Sequence, residues 1–250
     1  MAEITLYNFP QSTCSQKVRL AMWEKGIPYT DHIVMHKERE HLSEWYLKLN
    51  PNGVVPTITD GDDVVNDSSV ILEYLEDVYT DHPMSPTDPV QKAHMRKWMR
   101  YLEEVPTPAV RVPSFNQHLA KRYETMEDDA YNAMAEKHPI RKHFYKRMNK
   151  TGFSAEETAE SLDRLDSAAQ RFAEGLEAHA KDWIMGDMLT IADAAYLPTV
   201  DRMIDLGLGD MIFDRPALKA WYERYAVRPA FDKTFYEGTR LSEIFGKDTA

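Results

Sequence analysis

Strand-forming patterns are confined to the first 80 of the 250 residues, and this confinement is the strongest constraint on what the chain can fold into. Residues 3–9 (Glu-Ile-Thr-Leu-Tyr-Asn-Phe) alternate and carry β-formers, and residues 29–35, 54–58 and 64–65 read the same way. Three helices are expected between and after them. Val18, Leu20, Ala21 and Met22, followed by the stop signal Lys25-Gly26, predict the first. Leu42, Trp45, Tyr46 and Leu49 share one side of a second over 38–49. Val70, Ile71, Tyr74, Leu75 and Val78 predict a third over 67–79. Asn50-Pro51-Asn52-Gly53 is a strong turn signal, and Asp60-Gly61-Asp62 is hairpin chemistry. The order is β-α-β-α-β-β-α.

Residues 80–89 hold Pro83, Pro86 and Pro89 and few apolar side chains, which marks a linker. Beyond it the patterns are helical: 90–104, then 126–150 with a break at His138-Pro139. The capping box Ser154-Ala-Glu-Glu157 opens a helix running to about residue 181, and Thr190-Ile-Ala-Asp193 opens another through 206. Helices over 216–226 and 229–237 follow, while Pro106, Pro108 and Pro113 predict an interruption. The expected fold class is α/β plus all-α: an α/β domain at 1–80, a linker at 81–89 and a helical bundle at 90–250.

With 30 Lys+Arg against 41 Asp+Glu, the net charge is −11, which disfavours nucleic acid and anionic membranes as partners. The basic run His138, Arg141, Lys142, His143, Lys146, Arg147, Lys150 reads as a solvated helix face. No apolar run approaches the roughly 20 residues that span a bilayer, and the N-terminus shows no secretory signal. A lone cysteine, Cys14, makes no internal disulfide and fits a reducing, cytoplasmic compartment. One Cys, no H-E-x-x-H and scattered histidines (His32/His36, His138/His143) predict no metal site.

Three short elements carry chemistry. Ser12-Thr13-Cys14-Ser15 sits after a strand, at a helix N-terminus whose unpaired N–H groups and dipole favour a thiolate. That thiolate is Cys14 itself or belongs to a bound ligand that takes a hydrogen bond from Ser12 or Ser15. The plainer reading is helix capping with Cys14 as a small buried hydrophobe. Val55-Pro56 places a proline in a strand pattern; a cis bond there would turn the Val55 backbone toward an extended, peptide-like ligand, and the plainer reading is an edge-strand proline. In Asn66-Asp67-Ser68-Ser69, Asp67 and Ser68 are good helix caps. They also suit an α-amino acid head group in a partly buried slot, Ser68 holding its carboxylate and Asp67 its ammonium. A sulfur, an extended peptide and an α-amino acid end together describe glutathione.

The combination resembles the glutathione transferase superfamily along essentially the whole chain. The segments that carry the resemblance are residues 12–20, Leu49-Asn-Pro-Asn-Gly-Val-Val-Pro56, Asn66-Asp-Ser-Ser-Val-Ile-Leu-Glu-Tyr-Leu75 and Leu189-Thr-Ile-Ala-Asp193. The last looks like the family's buried capping motif, so Thr190 and Asp193 are structural. The resemblance implies a thioredoxin-like glutathione-binding domain and a helical domain that shapes the second-substrate pocket. It implies Ser12, Cys14 or Ser15 as the sulfur-activating residue, and His41, Val55, Pro56, Asp67 and Ser68 as glutathione contacts. Tyr7, the other candidate activator, reads as strand packing. Phe9, Phe115, Tyr123 and Phe144 are candidates for the second-substrate pocket, drawn from an aromatic stock that includes Trp98 and Tyr101.

Ser12-x-Cys14 is similar to the loop of the isomerase and reductive dehalogenase branches. Thr87-Asp-Pro-Val-Gln-Lys-Ala-His-Met-Arg-Lys-Trp98 and His138-Pro-Ile…Asn149-Lys-Thr-Gly-Phe153 look more like bacterial lignin β-etherases, whose first loop typically has a serine in the place of Ser15 and no cysteine. The implied activity is attack of glutathione, as co-substrate, on an aromatic molecule, with cleavage of a β-aryl ether of lignin-derived aromatics. The alternatives are reductive dehalogenation or isomerisation of ring compounds, a mixed disulfide of Cys14 with glutathione, and a scaffold that lost turnover. A dimer with itself or with a paralogue is also implied.

Overall fold

The structure, a computed structural model, describes residues 3–245; the expected domain ends at 1 and 250 lie outside them. Strand β1 (Ile4–Asn8) runs parallel to β2 (Tyr29–Ile33), and helix α1 (Thr13–Lys25) crosses between them. Strand β3 (Thr57–Asp60) is antiparallel to β1 and to β4 (Asp63–Asn66), so the sheet order is β2-β1-β3-β4. Ile4, Leu6 and Ile58 point to one face, as the period-2 alternation requires. They are buried with Val18, Met22, Ile71 and Leu75, each aliphatic stabilising the fold by about 1.5–3 kcal/mol.

Two local readings are corrected. The helix expected over 38–49 is two short 3₁₀ turns, His36–Glu38 and Glu40–Leu42, followed by α2 (Glu44–Leu49). Arg39 between the turns has left-handed backbone (φ 57°), which no continuous helix accommodates, and the Ser43 hydroxyl starts α2 afresh by accepting the Tyr46 N–H. The third strand begins at Thr57 and not at Val54, because Pro56 has no N–H to give a ladder; the Val55-Pro56 bond is cis, as the sequence suggested. Helix α3 (Ser68–Val78) then packs on the sheet.

The rest is helical. Helix α4 (Pro89–Glu104) is capped by Asp88 with Pro89 at its first position. The prolines after it do not break the pattern: α5 (Pro106–Ala109) and α6 (Arg111–Ser114) run into a π turn at Phe115–Leu119 and a 3₁₀ turn at Ala120–Arg122. Pro106, Pro108 and Pro113 each fall within the first turn of a short helix, where no N–H is needed. There follow α7 (Asp128–Glu136), α8 (Lys142–Met148), α9 (Ala155–Glu177), α10 (Ile191–Asp205), α11 (Asp210–Phe213), α12 (Pro216–Ala226), α13 (Pro229–Thr234) and α14 (Leu241–Phe245). No described helix is long and apolar enough to cross a membrane.

Asp193 organises the helical core. Fully buried at the start of α10, it accepts from Ile184 N–H (3.0 Å), Thr190 N–H (2.9 Å), the Thr190 hydroxyl (2.9 Å) and Trp221 Nε1 (2.9 Å). Burial pushes its carboxyl above the ordinary range, and these donors work against that shift.

A column of rings links the sheet to the helices. Phe9 stacks on His36 (centroids 4.4 Å apart), His36 on His41 (4.2 Å), His41 meets His138 (5.6 Å), and His138 meets Tyr145 of α8 (4.3 Å). Gly53 sits beside it at φ 61°, where an added Cβ would lie 3.0 Å from Leu42 and 3.1 Å from Pro139. That glycine lets its loop approach Pro139 of the helical half, beside the main contact of α1 with α10 and α13. Burial lowers all three histidines, with the neighbouring rings and Arg141 adding to it and the Met134 carbonyl opposing it at His138; His41 falls to about 4.

Two stability predictions follow. Asp193→Ala leaves four buried donors unpartnered and should cost about 3–5 kcal/mol, measured as a lower urea midpoint at unchanged slope. The histidines are neutral in the fold but protonate near pH 6.5 when unfolded, so between those values the unfolded chain binds more protons. Stability should therefore fall as pH drops from about 7 toward 5, and His41→Phe should flatten that slope; equal slopes for both proteins would contradict the assignment.

Candidate active site

The loop between β1 and α1 is built for an anion. Ser12 N–H donates to Phe9 C=O (3.0 Å), and the Ser12 hydroxyl caps α1 by accepting from Ser15 N–H (3.3 Å). The first intrahelical bond is Gln16 N–H to Ser12 C=O (2.9 Å), so the N–H groups of Thr13 and Cys14 have no intrahelical acceptor. Cys14 is a free, half-buried thiol. Ser15 is fully buried, and its oxygen accepts from Phe9 N–H (3.3 Å), which holds the loop from inside. Of the three hydroxyl and thiol candidates, Ser12 and Cys14 are the half-exposed ones.

Residues of the C-terminal half bolt this loop down. Arg202 of α10 donates to Gln11 C=O (2.7 Å), and Gln16 donates to Pro10 C=O (3.2 Å) and Thr239 C=O (3.1 Å). Arg19 reaches Asn8 Oδ1 (3.0 Å), Pro10 C=O (2.8 Å) and Thr234 C=O (3.2 Å). Gln11 bonds Gly238 C=O.

Beside the loop, Tyr46 Oη and Asn50 Nδ2 each donate to Val54 C=O (2.8 Å), and Thr57 donates to Asn66 Oδ1 (2.8 Å). This buried polar net fixes Val54 through Thr57. Burial pushes the Tyr46 phenol up to about 12, so it acts as a donor at neutral pH. Val55 itself is buried, and no described residue bonds its N–H or C=O. That leaves a backbone edge free for an extended ligand. At the start of α3, Asp67 has φ 73° and ψ 125°, a conformation that costs a non-glycine residue about 1–3 kcal/mol. Its carboxylate accepts from Ser69 N–H (2.9 Å) and Val70 N–H (3.3 Å), the capping role. Ser68 is buried, but Asp67 is exposed, so the partly buried slot expected around its side chain is corrected. An ion pair with a ligand ammonium there is solvent-screened.

His41 is buried in the ring column with Nδ1 unpartnered, adjacent to Gly53 and the loop leading to Val55. Three of the four rings expected around a second substrate come together: Phe115 meets Phe144 (4.9 Å), and Tyr123 packs with them against Tyr145 (6.2 Å). Phe9 stands at the other end of the column, and all four are half-exposed. Trp98 and Tyr101 do not join them. They pack at the α4–α9 contact, with Phe172 5.5 Å from Trp98 and Arg171 3.8 Å over Tyr101. Trp98 also borders a groove of about 490 Å³ with Gln91, His94 and Glu174, which contains none of the loop or cradle residues.

Sequence reading missed His36, His138, Tyr145, Arg111 and Arg141. The basic run is not one solvated face: His143, Lys146 and Arg147 are exposed, whereas His138 is buried and Arg141 half-buried. Spacing gave no signal, since residues 137–141 form the turn between α7 and α8 and no helix face relates His138 and Arg141 to Tyr145. No group of three or more His, Cys, Asp and Glu among the described residues is arranged to hold a metal ion.

Comparisons agree with this geometry. Residues 11–78 match the family profile "Glutathione S-transferase, N-terminal domain", and residues 157–224 match "Glutathione S-transferase, C-terminal domain". The chain is 28% identical to Protein LigF of Sphingobium sp. strain SYK-6 over 245 residues, 95% of each chain. It is 31% identical to a tetrachloro-p-hydroquinone reductive dehalogenase of Sphingobium chlorophenolicum over 244 residues, 93% of this chain and 95% of that one. The crystal structure of beta-etherase LigF superposes with a TM-score of 0.83 at 26% identity, covering 93% of this chain and 98% of that one. A four-stranded mixed sheet followed by a helical bundle is this family's architecture, and the chain belongs to the glutathione S-transferase family.

Proposed function

We propose that the protein uses glutathione thiolate to cleave a β-aryl ether of a lignin-derived aromatic compound. The observation that carries the reading is the half-exposed Ser12/Cys14 pair at the bare N-terminus of α1, next to the unpartnered backbone of Val55 and joined by the ring column to the Phe115/Phe144 wall. Glutathione lies along Val55, its γ-glutamyl carboxylate at Ser68 and the start of α3, its glycine end toward His41. Its sulfur then meets the N–H groups of Thr13 and Cys14 and the hydroxyl of Ser12, which favour the thiolate. The thiolate attacks the carbon bearing the aryloxide. A C–S bond forms, the C–O bond breaks, and the aryloxide leaves with the electron pair and takes a proton from water. A phenol ionises near pH 10, so the leaving group needs only modest help. The likeness to LigF, whose crystal structure is named as that of a beta-etherase, supports this choice of reaction.

A second reading rests on Cys14, a half-exposed thiol at the same helix end, and on the dehalogenase relative. There glutathione displaces halide from a ring. Cys14 thiolate then attacks the sulfur of the conjugate, the ring carbon departs with the electron pair and is protonated, and a Cys14–glutathione disulfide results. A second glutathione reduces it. For either reaction we place the enzyme in a dimer, for which Val64, Val70, Val78 and Val90 are exposed aliphatics on β4, α3 and α4.

Both readings are tested by incubating the protein and glutathione with each stereoisomer of a β-aryl ether dimer and with a chlorinated hydroquinone. Ether cleavage is expected, lowered about a hundredfold in kcat by Ser12→Ala and largely retained by Cys14→Ser. Accumulation of the glutathione–ring conjugate in Cys14→Ser would favour dehalogenation, and two uncleaved ether stereoisomers would end the etherase reading.

A further inference from the structure

Among the half-buried described arginines, two form no ion pair. The other half-buried arginines each meet an acid: Arg215 meets Asp166, Arg224 meets Asp182, Arg228 meets Glu24 and Arg240 meets Asp201. Arg111 and Arg141 form no ion pair with a described residue, Glu103, which pairs with Lys17, being the carboxylate that feels Arg111, in a chain whose net charge is −11. Both are half-buried. Arg111 opens α6 four residues before Phe115, and Arg141 directly precedes α8 and Phe144; the Phe115–Phe144 contact (4.9 Å) joins the turn after α6 to α8, so both arginines flank the aromatic wall in the chain.

The surroundings of Arg141 contain no acid. Burial lowers its pKa, Arg111 lowers it further, and the ionisable groups that oppose them are Cys14 and Tyr145. A guanidinium does not lose its proton in a protein, so the charge persists and its desolvation calls for an anion. Glutathione does not supply one here. In the reading above its carboxylates lie at Ser68 and near His41, both on the α/β side of the sulfur. Arg141 feels the Cys14 thiol, beside which the proposed function places the reacting sulfur, and it precedes by three residues Phe144, whose half-exposed ring packs on that of Phe115.

We propose that Arg111 and Arg141 form an anion subsite, and that the electrophile is therefore an aromatic acid carrying a carboxylate beside its ring and leaving group. Two planar guanidinium groups fit a carboxylate in bidentate fashion, while the adjoining rings take the flat apolar part. The inference rests on the proposed function in placing glutathione, but it concerns binding, so it is tested without turnover. Calorimetry with 4-phenoxybenzoate and its neutral counterpart 4-phenoxybenzamide, on the protein with and without S-methylglutathione, reads the subsite directly. The carboxylate should bind roughly tenfold or more tightly than the amide, and Arg141→Gln or Arg111→Gln should each remove most of that preference. Arg100→Gln, an exposed charge elsewhere on α4, should leave it intact. Equal affinity of the two probes for the unaltered protein, or a preference surviving both substitutions, overturns the proposal. Failure of S-methylglutathione to bind would instead overturn the proposed function, while the probe preference without it still decides the subsite.

Discussion

Everything at the site depends on the polar belt that holds α1. The helix is buried nearly all round, and the buried side chains include Gln16, Lys17, Arg19 and Lys25 as well as Val18, Leu20 and Met22. Each polar one bonds a distant segment, Gln16 reaching Thr239 and Arg19 reaching Thr234. Lys17 pairs with Glu103 of α4 and bonds Thr107 Oγ1 (3.1 Å); Lys25 pairs with Glu76 (2.6 Å) and bonds His82 C=O (2.9 Å). Burial works to raise the Glu103 carboxyl, but Lys17 holds it below the ordinary range. Breaking such a pair strands a buried charge and costs about 3–5 kcal/mol, which is why α1 cannot drift between the halves. The loop between β1 and α1 inherits that rigidity through Arg19 and Gln16, whose hydrogen bonds end on Pro10 C=O.

Charge is arranged to match. The walls near Cys14 favour an anion: the histidines of the ring column are held uncharged by burial, and Arg111 and Arg141 add positive charge while forming no ion pair with a described residue. A thiolate formed at α1 meets a helix N-terminus and cations, and an anionic reactant or leaving group meets the same field.

Most of the fold was legible because apolar periodicity and turn chemistry set it. The order of strands and helices to residue 79, the Ser154 capping box and the Thr190–Asp193 motif are local signals with local causes. Where the reading went astray, long-range packing decided. Arg39 is left-handed because the His36–His41 stack closes around it, and no propensity encodes that. Pro106, Pro108 and Pro113 looked like breakers only when each was taken as interior to one helix. At the site, the loop and cradle residues were visible because capping motifs and a strand proline are sequence-local. Arg141 and His138 were hidden in a basic run that on composition alone belongs to solvent, since what buries them is the α/β half more than 80 residues earlier.

The central claim is that the N-terminus of α1 stabilises the thiolate of bound glutathione. Titrating that thiolate by ultraviolet difference absorbance, with glutathione saturating the intact protein, tests it most directly. The account predicts a thiol pKa below about 7.5, against an ordinary value near 8.5, and a return toward the ordinary value in Ser12→Ala. A bound thiol that titrates at its free value in the unaltered protein would contradict it.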